Sequence, residues 1–349
     1  MLINPMLASY SDLAYGTALV LYLLAMLLHA VEYAAGPVPV VAPVRNTGGN
    51  TAQNAVGNTA LKGNGPVATL APPDQASSGP VPLGRAALGN APQRGKPERI
   101  GRSAVALTGL AALVHASSLV LRGVAIGRVP WANMYEFTSA ICFVAVAGWL
   151  MALYRQPQGH RKPGSGAALQ RLGGFVLLPV VVLMFLGGTV LYAQAAPLIP
   201  ALNSYWITIH VSAAATASGI LLVSGVASVL YLLSAGDGSQ LAARLPASAT
   251  LDRLAYRTAV LALPIWTFAI ITGAIWAEAA WGRYWGWDPK ETCALVAWVV
   301  YAGYLHARAT AGWRGSPAAW INVVGFGVML FNLFFVNIVI AGFHSYAGI

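Results

Sequence analysis

One short run and six histidines hold most of the chemistry available to this chain. The run is Trp281-Gly-Arg283-Tyr-Trp285-Gly-Trp287-Asp288-Pro-Lys290-Glu291-Thr292, set between two long apolar stretches. Only 9% of the residues are charged, so this density of polar groups is out of place. Indole rings crowded beside groups that must stay wet describe a surface at a membrane edge that a flat ligand can lie against.

Two histidines could complete such a surface. His210 follows Leu202-Asn-Ser-Tyr-Trp206-Ile-Thr-Ile, and His344 stands in Gly342-Phe-His344-Ser-Tyr346-Ala. Two neutral imidazoles, one from each side, are what a six-coordinate haem iron takes axially. Arg283 or Lys290 could neutralise propionates, and Asp288 could orient a ring N–H or an indole. Each residue alone has a plainer explanation, since tryptophans line membrane interfaces and an interfacial histidine often just satisfies a backbone group. Belts do not usually gather three tryptophans with Asp-Pro-Lys-Glu in one loop, and the combination favours a cofactor site.

The other histidines differ. His115 falls deep in an apolar run, where an ionisable group is a functional candidate with a bundle-facing partner; a bond to a neighbouring backbone carbonyl explains it equally well. His29 is its candidate partner or a structural residue. His306, beside Arg308, fits a snorkelling position, and His160 lies in a basic loop. Glu136 is expected to pair with Arg122 or Arg128.

These residues need elements to hold them. The chain has 349 residues, 57% of them hydrophobic, too few polar ones to coat a core of that size in water. The bilayer is the expected solvent. Apolar runs predict an all-α, polytopic integral membrane helix bundle of about eight transmembrane helices. Their expected extents are 14–35, 103–122, 132–153, 172–193, 207–233, 255–276, 293–311 and 318–341. The first run lacks a basic flank before it and reads as a retained helix in segment 1–35. Residues 36–102, rich in Gly, Pro, Asn, Ala and Thr, read as a cytoplasmic low-complexity linker. The seven-helix domain 103–349 then carries the tryptophan loop at 277–292.

Net charge is +10, but the basic residues fall in short loops, which explains them by membrane orientation and not by nucleic acid. Of the 20 Lys and Arg residues, one side of the expected bundle has only Arg122, Arg128, Arg283 and Lys290. The positive-inside bias places both termini, the tryptophan loop, His210 and His344 extracytoplasmic. Cys142 and Cys293 form no Cys-x-x-Cys pair, so the chain itself is a poor candidate for thiol–disulfide chemistry.

Trp281-Gly-x-x-Trp285-x-Trp287-Asp288-Pro-Lys-Glu-Thr292 resembles the WWD signature of haem-handling proteins, and its ending resembles the CcsA (ResC-type) branch of System II cytochrome c biogenesis. The likeness extends to His115…Arg122…Gly127…Pro130…Asn133-x-Tyr135-Glu136, to Leu202-Asn-Ser-x-Trp206…His210-Val, to His306-x-Arg308…Gly312-Trp-Arg-Gly315 and to Gly342-Phe-His344-Ser-Tyr346-Ala. It covers residues 103 to 346, in matching order.

The resemblance implies His210 and His344 as axial and catalytic ligands together with Asp288. It implies Trp281, Trp285, Trp287 and Asp288 as the haem platform, beside which Arg283 is a further haem-binding candidate, and His115 as ligand of a second, transmembrane haem. The implied activity is that of a haem lyase: haem b is joined through its vinyl groups to the thiols of a Cys-x-x-Cys-His segment in apocytochrome c. The implied partners are apocytochrome c, a ResB/CcsB-like membrane subunit and thiol-reducing proteins, in the plasma membrane and surrounded by lipid, with no nucleic acid. No ResB-like portion is present here, so a separate subunit or His29 would complete the transmembrane site. A haem exporter or chaperone serving a separate lyase is the alternative. A quinone or electron-transfer subunit is disfavoured, because only the outer histidine pair is present.

Overall fold

In a computed structural model, the protein is described at residues 3–35, 96–155, 169–198, 200–235, 245–340 and 342–344. The long elements are α1 (Pro5–Ala35), α2 (Lys96–Ile126), α3 (Met134–Tyr154), α4 (Gly173–Thr189), α5 (Tyr205–Ala235), α6 (Ser248–Trp281), α7 (Pro289–Ala309) and α8 (Ser316–Leu330). A 3-10 turn at Pro200–Leu202 precedes α5, and α8 continues through a π turn at Phe331–Phe335 into Val336–Ile338. Among the described residues there is no strand. In hydrocarbon every backbone group must be satisfied within its own segment, which leaves helices as the solution for this composition.

Among the described residues, seven helices are long and apolar enough to cross a bilayer. The eighth, α7, carries Lys290, Glu291, His306 and Arg308 in its end turns. Its 21 residues still reach ~30 Å at about 1.5 Å per residue. Large apolar side chains point outward, Leu13 at 68% exposure and Leu113 at 69% among them. The chain is thus a polytopic membrane helix bundle, apolar outside as well as inside.

Small residues let the helices approach. Ala18 and Ala25 of α1 and Ala104 and Ala111 of α2 are fully enclosed. Between the same two helices, Ser11 Oγ donates to the Ser118 carbonyl at 3.0 Å and Ser118 Oγ donates back to Ser11 at 2.9 Å. Such reciprocal bonds hold helices together where lipid removes the hydrophobic drive between them. Asn322 of α8 does the same work on α5, donating to Ser224 Oγ at 2.9 Å and Ser228 Oγ at 2.7 Å.

Some helices overrun their expected ends, whereas the fourth stops at Thr189, short of 193. The first starts at Pro5 instead of 14, the second at Lys96 instead of 103, and α6 runs to Trp281. Hydropathy marks where hydrocarbon ends, whereas a helix continues until its backbone is stopped. Gly282 stops α6 by taking a left-handed conformation (φ 73°), its N–H bonded to the Glu278 carbonyl at 2.8 Å. The tryptophan loop expected over 277–292 is therefore only residues 282–288, with Trp281 on helix. The linker expected over 36–102 lies outside the described residues up to 95, and from Lys96 the chain is helical.

Candidate functional site

His210 sits just over a turn into α5, half-buried, and its place is made by α6. Its Nδ1 donates to the Ala269 carbonyl at 2.7 Å. Gly273, one turn further along α6, leaves room for the ring: a Cβ there would meet His210 Nδ1 and Cε1 at 2.7 Å. The ring lies nearly parallel to Trp276, with centroids 6.1 Å apart and planes 12° apart. A neutral imidazole that keeps its proton on Nδ1 has its lone pair on Nε2, so the backbone bond fixes which nitrogen can ligate a metal.

His344 is positioned from α7. Asp288 is the N-cap of that helix, in a capping box with Glu291. Its Oδ1 accepts from the Lys290 N–H at 3.0 Å, and Glu291 Oε2 accepts from the N–H groups of Asp288 at 3.1 Å and Gly286 at 2.8 Å. The same Oδ1 lies 2.9 Å from His344 Nδ1, and Oδ2 accepts the Phe343 N–H at 2.7 Å. Burial acts to raise the Asp288 pKa, but the bond and charge of His344 and the two backbone donors outweigh it and hold the carboxyl down at about 2. A carboxylate on Nδ1 orients a ligating histidine and raises its basicity.

The two rings meet at one indole. Trp276 lies 6.1 Å from His210 and 5.7 Å from His344, and Trp281 packs on its edge at 4.7 Å and on His344 at 5.3 Å. All four therefore gather where the end of α6 meets the start of α5 and the end of α8. An open cleft adjoins them, with about 1200 Å³ of non-atom space counting the solvent at its mouth. Trp131, Trp266, Trp276 and Trp285 face it with both histidines, Lys290 and Asn332. A flat, mostly apolar wall with a few polar groups is the usual form of a site for a large planar ligand.

The expected platform is divided. Trp285 faces the cleft, Trp281 backs Trp276 and His344, and Trp287 points away, 69% exposed with φ 56°. Arg283 does not line the cleft; its guanidinium lies over Phe343 at 4.5 Å, with Glu291 at 3.9 Å. Trp276 and Gly273 were not among the expected site residues, because both sit in an apolar run that reads as ordinary span.

The other described histidines lie apart from this cluster, and His160 lies outside the described residues. His115 is fully enclosed, with Nε2 2.9 Å from Ser139 Oγ and Nδ1 3.4 Å from the Tyr22 hydroxyl. His29 packs on Trp149 with Nδ1 3.4 Å from Glu32, about two turns along α1 from Tyr22. His306 is exposed in the last turn of α7. Glu136 pairs with both expected arginines: Arg122 Nε at 3.2 Å and Arg128 at 3.0 Å. Asp12 joins Arg122 at 3.4 Å. This clamp ties α1, α2 and α3 at one end of the bundle. Cys142 and Cys293 are both free.

With this geometry in hand, the comparisons are specific. Residues 108–344 match the profile of the cytochrome C assembly protein family. The chain is 36% identical over 266 residues to the cytochrome c biogenesis protein CcsA of Parasynechococcus marenigrum, covering 69% of this chain and 85% of that one. It is 34% identical over 300 residues to the CcsA of Synechococcus elongatus (72% and 89% covered) and 36% identical over 270 residues to that of Prochlorococcus marinus (69% and 82% covered). The chain belongs to the cytochrome c assembly protein family, as a CcsA-type protein of cytochrome c biogenesis.

Proposed function

We propose that the end of the bundle bearing residues 282–288 is extracytoplasmic, binds haem b between His210 and His344, and serves as the haem lyase for apocytochrome c. The observation that carries this reading is the pair of oriented rings. Ala269 and Asp288 each take the Nδ1 of one histidine, at 2.7 and 2.9 Å, which directs both Nε2 lone pairs to the role of ligand. Trp276 and Trp285 supply the apolar wall for the porphyrin face, while an open mouth leaves the vinyl edge to the acceptor.

The chemistry at that edge is an addition. Each thiol of the Cys-x-x-Cys-His segment adds its S–H across a vinyl C=C, forming one C–S and one C–H bond with no net oxidation. The acceptor's own histidine then replaces one protein ligand. The chain's contribution is positioning: it holds the ring face and leaves the reacting carbons uncovered. Among the described Lys and Arg residues only Arg122, Arg128, Arg283 and Lys290 lie at this end, which supports its placement on the non-cytoplasmic side of the membrane; the plasma membrane is the proposed location.

A ResB-like subunit is the proposed partner, and thiol-reducing proteins keep the acceptor cysteines reduced. A ligand role for His115 at a second haem requires Tyr22 or Ser139 to release a ring nitrogen. The purified chain with its partner, given ferrous haem and a Cys-x-x-Cys-His peptide, is expected to yield a thioether-linked product by mass. Bound haem without any linked product would reassign the chain to haem delivery.

A further inference from the structure

Lys290 has a role that neither the helix cap nor the histidine pair uses. It occupies the second position of α7, and its side chain reaches α8, where Nζ lies 2.9 Å from Asn337 Oδ1 and 3.5 Å from the Asn332 carbonyl. The π turn at Phe331–Phe335 makes this possible. Residues five apart diverge by about 140° in a regular α-helix, whereas a turn closed from i to i+5 brings them towards one face. Lys290, Asn332 and Asn337 all line the same cleft as His210 and His344. Asn332 is 95% enclosed, and its Oδ1 has no hydrogen-bond partner.

An ammonium beside an unpartnered amide oxygen, on the wall of a mostly apolar cleft that also bears Glu291, is a polar cluster with room for a further partner. Buried polar groups are normally paired, and each exception calls for a missing group. Within the described residues the Lys290 ammonium is hydrogen-bonded only to amide oxygens; the Asp288 carboxylate acts on its charge without a hydrogen bond to it, so the ammonium keeps donor capacity for a carboxylate. An amide can turn to present nitrogen in place of oxygen, so Asn332 can donate to the same group. Arg283, the other cation near the tryptophan loop, lies over the Phe343 ring and 3.9 Å from Glu291; its Nη1 has no hydrogen-bond partner, but Arg283 does not line the cleft.

We propose that Lys290, Asn332 and Asn337 form a carboxylate subsite that takes one propionate of the haem, fixing which edge of the porphyrin faces the mouth. The inference rests on the haem reading above. Its test compares haem with haem dimethyl ester, whose propionates are capped, on the full chain in detergent. Wild type is expected to bind haem roughly tenfold to a hundredfold more tightly than the diester, the span for hydrogen bonds to a charged group. Lys290→Met removes that preference by weakening haem alone, and Lys290→Arg retains it. Equal losses for both ligands in Lys290→Met, with the bis-histidine spectrum intact, would overturn the subsite and leave the haem reading standing. Absence of histidine-ligated haem from wild type would overturn both.

Discussion

Asp288 accepts hydrogen bonds from three directions at once: the Lys290 N–H of its own helix, the Phe343 N–H and the His344 ring. One carboxylate therefore couples the start of α7 to the chain segment after α8. A charged residue in so apolar a chain stands out, as do His210 and His344, and all three were legible in the sequence. Trp276 was not, because a tryptophan inside a hydrophobic run carries no signal of the two histidines it touches. Trp276→Ala is expected to cost about 3–5 kcal/mol, as for other buried aromatics, lowering the thermal midpoint. It should also make bound haem exchange its axial ligands faster with added imidazole. Trp276→Phe keeps a ring beside both histidines and should show a smaller change in exchange rate. Equal exchange rates in Trp276→Ala and wild type would reduce Trp276 to a packing residue.

At the level of elements, the number of helices followed from apolar runs, whereas their ends did not. Polar residues such as Glu278 stay helical because nothing in the backbone breaks the helix before Gly282. The π turn in α8 left no mark in composition either, since Phe331-Asn-Leu-Phe-Phe335 reads as plain span. It shows only in the contact that Asn332 and Asn337 both make with Lys290. The clamp of Glu136 with Arg122 and Arg128 was legible, because charges flanking an apolar span have few other partners. Gly282 offers a clean test of the loop's geometry. A Cβ there meets nothing within 4 Å, yet φ is 73°. Gly282→Val should therefore lose about 1–2 kcal/mol from backbone strain alone, seen as a lower thermal midpoint. Gly282→Asn, which tolerates that region, should lose less. Identical midpoints for the two would mean that Gly282 does not set the end of α6.

The described helices form an apolar bundle with the tryptophan loop and the His210–His344 pair gathered at one end. Residues from α5, α6, α7 and the segment after α8 converge there, although His210 and His344 are 134 positions apart in the chain. Composition makes the membrane bundle legible, because its apolar content leaves no soluble alternative. That the two histidines share one face follows from an even number of crossings between them, whereas their meeting at Trp276 depends on the packing. The choice of Ala269 and Asp288 as their orienting groups likewise depends on how the helices rotate against each other. The account stands on those two rings as haem ligands. The most direct measurement is the absorption spectrum of the purified full chain, as wild type and as His210→Gly with His344→Gly. Wild type is expected to carry a six-coordinate, bis-histidine haem. The double variant should lose it and regain a similar spectrum with added imidazole. An unchanged bound-haem spectrum in the double variant would contradict the account.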